Sequence, residues 1–223
     1  MTKRGAGRGT TRQQRQVQTR HCLMRSAAKL FARHGLDGAS IDDVAADAGF
    51  TKGAFYANFS SKEELFLAML EERFSARLAD IERVADGPAE DVEEQAREVG
   101  VDFARQLAGD PDWQRLFFEF ATRAMRREPF RAELVERYRR LRDGITALFE
   151  RRLRELGVES PLAPETLSLM TFAMANGFAL ERLLEPDDAP EDLFADMLVV
   201  LFAGVRALAA ESSSAEPAAT PHS

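Results

Sequence analysis

From about residue 20 to residue 208, apolar side chains in this chain recur at intervals of three and four and do not alternate with polar ones. Such spacing lines one face of a helix, whereas a half-buried strand needs a period of two. Breaks fall at Gly35-Leu36-Asp37-Gly38, Asp86-Gly87-Pro88, Gly109-Asp110-Pro111, Pro129, Gly157 and Pro161 to Pro164, leaving about nine helical segments. The expected fold class is all-α. A three-helix N-terminal domain with a helix-turn-helix precedes a larger helical domain for ligand binding and dimerisation. At 223 residues the chain is long enough to bury a substantial core.

The organisation follows from where apolar periodicity starts and stops. Residues 1–16 are Gly, Thr, Arg and Gln with little to bury, which predicts a disordered basic arm. Residues 17–62 form the helix-turn-helix domain, its first helix running from about 14 to 34 with Leu23, Ala27, Leu30 and Phe31 inward. Residues 63–87 form a connecting helix, with Phe66, Met69, Leu70, Phe74 and Leu78 on its apolar face. Residues 88–211 form the larger domain, and residues 212–223 a disordered Ser/Ala/Pro tail.

The stretch SIDDVAADAGFTKGAFYANFSSK, residues 40–62, carries the functional signal. Ile41, Val44, Ala45 and Ala48 line one face of a short helix, which Ser40 and Asp43 start as an acidic capping box. Gly49 ends it, because glycine accepts a left-handed backbone without cost. Thr51 caps a second helix, 52 to about 58, whose outer side presents Lys52, Gly53, Tyr56 and Asn58. Two short helices about a glycine turn, the second with a basic, small and aromatic face, are the layout of a DNA-reading helix-turn-helix.

Charge supports that reading. Residues 1–62 hold eleven Lys/Arg against four Asp, net +7, which leaves -14 for the remainder of a chain whose total is -7. A basic third on an acidic protein is the footprint of a polyanion-binding module, since phosphate neutralisation with counterion release supplies most non-specific affinity.

With these residues in place, the chain resembles the TetR family of bacterial regulators over roughly residues 18–70. The resemblance rests on Leu30 to Gly35, Ser40 to Ala45, Ala48 to Phe59 and Ser61 to Leu65. It differs mildly at Phe50 and Phe55, where smaller aliphatics are commoner. The resemblance implies that Lys52 and Gly53 approach base edges or phosphate, and that Tyr56 and Asn58 meet the DNA. It implies that Lys62, at the start of the fourth helix, holds a phosphate, and that Ser40 and Thr51 touch phosphate as well as cap. Phe55 and Phe59 fit the core better than a DNA surface.

The larger domain is rich in bulky residues. Phe103, Phe117, Phe120, Met125, Tyr138, Met174 and Phe178 fit the wall of an apolar cavity between helices, where ligand sites of helical domains lie. Asn176 sits in an apolar segment and needs a hydrogen-bond partner, which is either a ligand or a neighbouring helix. Leu193, Met197, Val200, Leu201, Gly204 and Leu208 form a stripe on the last helix. Ala173 and Gly177 lie one turn apart on the helix before it. Paired across a two-fold axis, these helices would build a four-helix dimer interface that matches a palindromic operator.

Catalysis finds no support. His21, His34 and His222 lack partners at metal-ligand spacing, no phosphate-binding or nucleophile motif occurs, and Gly5 to Gly9 follows no strand. No catalytic residue, metal site or cofactor is expected. The lone Cys22, the absence of an apolar segment behind the basic N-terminus, and no evident membrane-spanning run predict a cytoplasmic protein without a membrane partner. The reading is a homodimeric repressor that binds double-stranded DNA and leaves a palindromic operator when an apolar small-molecule effector binds. One rival is a dimeric DNA-binding protein whose second domain takes no ligand, distinguished by the lack of a cavity of several hundred cubic ångströms. A second rival is a helical enzyme with an incidental basic N-terminus, which requires a titratable cluster in a cleft.

Overall fold

The computed structural model describes residues 11–87 and 92–215. Most of the expected basic arm and the end of the tail lie outside these residues. The described part is helical throughout: α1 (Arg12–Gly38), α2 (Ile41–Asp47), α3 (Lys52–Tyr56), α4 (Lys62–Ala85), α5 (Val92–Gly109), α6 (Pro111–Ala124), α7 (Glu128–Leu156), α8 (Pro164–Leu184) and α9 (Leu193–Ala215). The all-α, nine-helix expectation holds for the described residues.

Two boundaries need correction. Residues 11–16 are not disordered: Thr11 caps α1 by accepting from the Gln14 amide at 3.2 Å, and the Gln14 side chain accepts from the Thr11 amide at 2.8 Å. This reciprocal cap satisfies two backbone donors without any apolar burial, so composition gave no sign of it. At the other end α9 continues to Ala215, past the expected start of the tail at residue 212.

The head is built around Leu23, Phe31, Val44, Phe55, Phe59 and Leu65, all buried. Burying a phenylalanine contributes roughly 1.5–3 kcal/mol, so Phe55 and Phe59 anchor the α3 segment from beneath. The buried Ser26 hydroxyl donates to the Val44 carbonyl at 3.0 Å and ties α1 to α2. At Gly35 the backbone of α1 turns to φ 68°, so residues 36–38 form a separate turn.

The larger domain packs α4 to α9 around several apolar clusters. Helices α5 and α9 cross very closely: a Cβ on Gly100 would lie 2.3 Å from the Ala195 Cα. Contrary to the sequence reading, Leu193–Glu211 of α9 is long and apolar enough to cross a membrane, with mean hydropathy 2.0. One side of this helix, at Phe194, Ala195, Leu198, Val205 and Ala209, is buried in the protein's own core. Asp196 pairs with Arg97 of α5 at 2.9 Å, and Arg206 pairs with Glu93. The apolar length therefore arises from a core face backed by a second apolar face.

Candidate functional site

The helix-turn-helix is shaped by local chemistry. The Ser40 hydroxyl accepts the Asp43 amide at 3.0 Å while Asp43 accepts the Ser40 amide at 3.1 Å. The Ser40 hydroxyl also donates to the Asp43 carboxylate at 2.6 Å, and that bond, with the one from the Ser40 amide, holds the Asp43 carboxyl below its ordinary value. At the far end Gly49 adopts φ 76°, with Phe50 N–H donating to Ala45 O at 2.8 Å and Gly49 N–H to Ala46 O at 3.0 Å. This is the paired closure that a left-handed glycine allows. Thr51 then starts α3, its hydroxyl accepting from the Ala54 amide at 3.2 Å.

The outer side of α3 presents Lys52, Gly53 and Tyr56, all exposed, with Tyr56 at 51%. Lys52 Nζ lies 2.8 Å from an Asp42 carboxylate, and that hydrogen bond raises the lysine pKa. The pair links α2 to α3 across the turn, and solvent reaches both partners.

Two residues expected to face DNA are engaged inside the protein. Asn58 Nδ2 donates to the Ala54 carbonyl at 2.8 Å, its backbone carbonyl accepts from Arg20 at 2.8 Å, and its Oδ1 is buried without a partner. Lys62 Nζ donates to the carbonyls of Leu36 at 2.6 Å and Ala39 at 2.8 Å. A lysine is required there because the turn after α1 leaves carbonyls without amide donors. Lys62 thus braces the head, a role beyond the phosphate contact expected of it.

The head is fastened to α6. Glu119 accepts the Leu36 amide, and Arg123 pairs with Asp37 and, at 3.4 Å, with Glu63 of α4. The hydrogen bond from Arg123 is the main reason the Asp37 carboxyl sits below its ordinary value.

In the larger domain a cavity of about 170 Å³ lies between α4, α5, α6, α7, α8 and α9. Of the residues expected to line it, Phe103, Phe117, Tyr138 and Asn176 do. The other four are placed elsewhere. Phe120 is fully buried against Phe66 in the core shared with the head. Met125 follows the last turn of α6 and is 70% exposed. Met174 and Phe178 pack in the cluster below α5 and α9, where Phe178 stacks on Phe194. Periodicity put these residues on helices but did not say which neighbour each would meet.

Asn176 Nδ2 donates to the Phe172 carbonyl at 2.8 Å, so its required partner is its own helix. Burial raises the Tyr138 phenol above its ordinary value. Lining residues not anticipated from sequence include Arg73 and Arg77 of α4, Gln106 of α5 and Gln114 of α6, and the bulky Trp113 of α6 lines it as well. Arg73 is stacked 4.1 Å over Trp113 and paired with Asp110, and Arg77 lies 5.1 Å over Phe103. A smaller chamber of about 90 Å³ adjoins it, and the two share Ile81, Val99, Ile145, Thr171 and Leu198.

The expected dimer face divides in two. Ala173, Gly177, Leu193, Val200, Gly204 and Leu208 are exposed, Val200 at 71%, while Met197 and Leu201 are half-buried against their own domain. Leu169, Met170, Leu180 and Leu184 of α8 are exposed as well and extend the apolar face.

Residues 23–69 match the family of bacterial regulatory proteins of the tetR type, and residues 92–207 match the C-terminal domain of BetI-type transcriptional repressors. The chain belongs to the TetR family. Its TetR-type head is the helix-turn-helix described above. Among relatives of known name, it is 31% identical over 162 residues to the HTH-type transcriptional repressor SCO4008 of Streptomyces coelicolor, covering 71% of this chain and 77% of that one. It is 30% identical over 133 residues to the repressor AcnR of Corynebacterium diphtheriae, covering 58% of this chain and 62% of that one. The match thus spans less than two thirds of AcnR. The fold is shared with the regulator FadR of Bacillus subtilis in complex with stearoyl-CoA, at TM-score 0.65, 15% identity, 83% of this chain and 98% of that one.

Proposed function

We propose that this TetR-family protein is a homodimeric, cytoplasmic transcriptional repressor that binds a palindromic operator and is released by a small, largely apolar effector. The observation that carries this reading is the exposed Thr51-Lys52-Gly53-Tyr56 edge of α3, set on a head that α4 and α6 join to a cavity in the larger domain. Lys52 and Gly53 begin the reading helix and approach base edges or phosphate, with Tyr56 on the same side. Ser40 and Thr51 contribute caps and phosphate contacts. Asn58 shapes the end of α3, and Lys62 braces the head with one N–H left for a phosphate.

The dimer forms through α8 and α9, where Leu180, Leu184, Leu193 and Val200 lie exposed on the protomer surface. A two-fold pair presents two α3 helices, which read half-sites about 34–36 Å apart, one turn of DNA. Effector binding between α4 and α6 alters that separation only by favouring the splayed state over the DNA-ready one. A tenfold loss of operator affinity needs about 1.4 kcal/mol of differential binding, an ordinary allosteric coupling.

A second reading, in which the larger domain only dimerises or docks a partner, is favoured by the cavity volume. At about 170 Å³ the cavity is below the several hundred cubic ångströms usual for a ligand site. A gel shift on DNA flanking the protein's own gene, repeated with candidate effectors, tests both. Absence of a specific shift removes the repressor reading. A shift that no effector changes favours the ligand-independent one.

A further inference from the structure

The cavity lining contains two cations, Arg73 and Arg77, and no acid. Arg73 is neutralised by Asp110. Arg77 is different: one of its five N–H groups donates to the Val99 carbonyl at 2.8 Å, its plane lies over Phe103, and no described carboxylate oxygen comes within 4.0 Å. The acids nearest in influence, Asp102 and Asp80, are otherwise occupied. Asp102 holds Arg105 at 2.9 Å, while Asp80 faces Arg83 at 3.9 Å and accepts from Gln106 at 3.4 Å. Burial pushes the Arg77 guanidinium down to about 10, so the protein pays a desolvation cost there without close compensation. It remains charged at neutral pH, because an arginine does not release its proton in that range.

Aromatic walls also suit a quaternary ammonium ligand. Here the aromatic faces at Trp113 and Phe103 are already covered by the protein's own guanidinium groups, and a second cation would meet an unneutralised Arg77. An anion resolves both conditions. A carboxylate accepts two parallel N–H bonds from a guanidinium fork, and it gains most where water is excluded. Around the charge the lining is apolar, and the Tyr138 hydroxyl, with no partner among the described residues, supplies one further donor. The volume is close to that of an engineered cavity of about 150 Å³ that admits benzene, which limits the body to one ring or a short chain.

We infer that the effector is a small monocarboxylate with an apolar body, its carboxylate seated against Arg77. This rests on the reading of the cavity as a ligand site and names the class of ligand that site takes.

Calorimetric titration of the full-length protein with octanoate, octanamide and octyltrimethylammonium, and with benzoate and benzamide, tests it. The expected result is at least tenfold tighter binding of each acid than of its amide. Arg77→Met should abolish that preference, lowering acid affinity at least tenfold more than amide affinity, and Arg77→Lys should restore part of it. Equal binding of acid and amide, tighter binding of the ammonium, or an acid preference that survives Arg77→Met overturns the carboxylate inference and leaves the ligand site standing. Binding by none of the five removes the ligand site itself. If Arg77→Met does not fold, the wild-type acid preference together with the Arg77→Lys response decides.

Discussion

The Glu119 carboxylate accepts the backbone N–H of Leu36 at 3.1 Å, joining the middle of α6 to the turn that ends α1. Gly35 is held against the same carboxylate, since a Cβ there would lie 3.3 Å from Glu119 Oε2. Within the two turns before it, α6 contributes Trp113, Gln114 and Phe117 to the cavity wall. One rigid helix thus touches both the cavity and the head, which gives α6 a part in the switch alongside α4. Glu119→Ala should lower stability in urea by about 1–2 kcal/mol through loss of a charged acceptor. It should also reduce the effect of ligand on operator binding in a gel shift. Unchanged ligand response would leave α4 as the sole connection.

Lys62→Ala should destabilise the protein as well as weaken DNA binding, because two carbonyls lose their donor. A loss of about 1–2 kcal/mol is expected in chemical denaturation. A variant with wild-type stability and weakened binding to every DNA sequence would return Lys62 to a pure phosphate contact.

Lys52→Ala and Tyr56→Ala should leave the melting temperature nearly unchanged, since Tyr56 is exposed and the Lys52–Asp42 pair is a solvent-screened surface ion pair. Both should cost more affinity on operator than on random DNA in competitive gel shifts. Equal losses on the two DNAs would show that neither side chain reads bases.

Val200→Glu should yield monomers by sedimentation while the helical content stays intact, because Val200 has no core contact to lose. Leu201 is unsuited to this test: it packs against the α7–α8 cluster, so a charge there would damage the protomer. A Val200→Glu protein that remains dimeric would place the interface elsewhere.

Acid should loosen the contact between head and α6. Asp37 is depressed below its ordinary value of 3.8 chiefly by its hydrogen bond from Arg123. A group lowered in the folded state contributes stability above its unfolded pKa and loses it as pH falls through the folded value. Wild type should therefore melt above Asp37→Asn at neutral pH, and the two should converge as the pH falls below the ordinary carboxylate value of 3.8. A gap that widens in acid would contradict the assignment.

Much of this molecule was legible in the sequence where the cause is local. Ser40, Gly49 and Thr51 are read correctly because capping and left-handed turns involve residues two to five positions apart. The bracing bonds of Lys62 were not legible because Leu36 lies 26 residues away, and neither was the bond from Arg20, 38 residues away, to the Asn58 backbone. Helical spacing placed Phe74 and Leu78 inward but did not single out Arg73 and Arg77. It had no means of knowing that Arg77 would pack beside Phe103 and Val99 of α5. Met125 failed for the opposite reason, being an apolar residue just beyond the last turn of α6.

The close crossing of Gly100 and Ala195 limits how the interior can enlarge. Any separation between α5 and α9 breaks a backbone-to-backbone fit that no side-chain rotation can restore, and any tightening is sterically blocked. That seam forms an unyielding floor beneath Phe103, Phe194 and Leu198. A guest larger than a single ring must therefore make room by displacing the opposite side, where α4 and α6 lead to the head, so molecular size alone would set how far the reading helices travel.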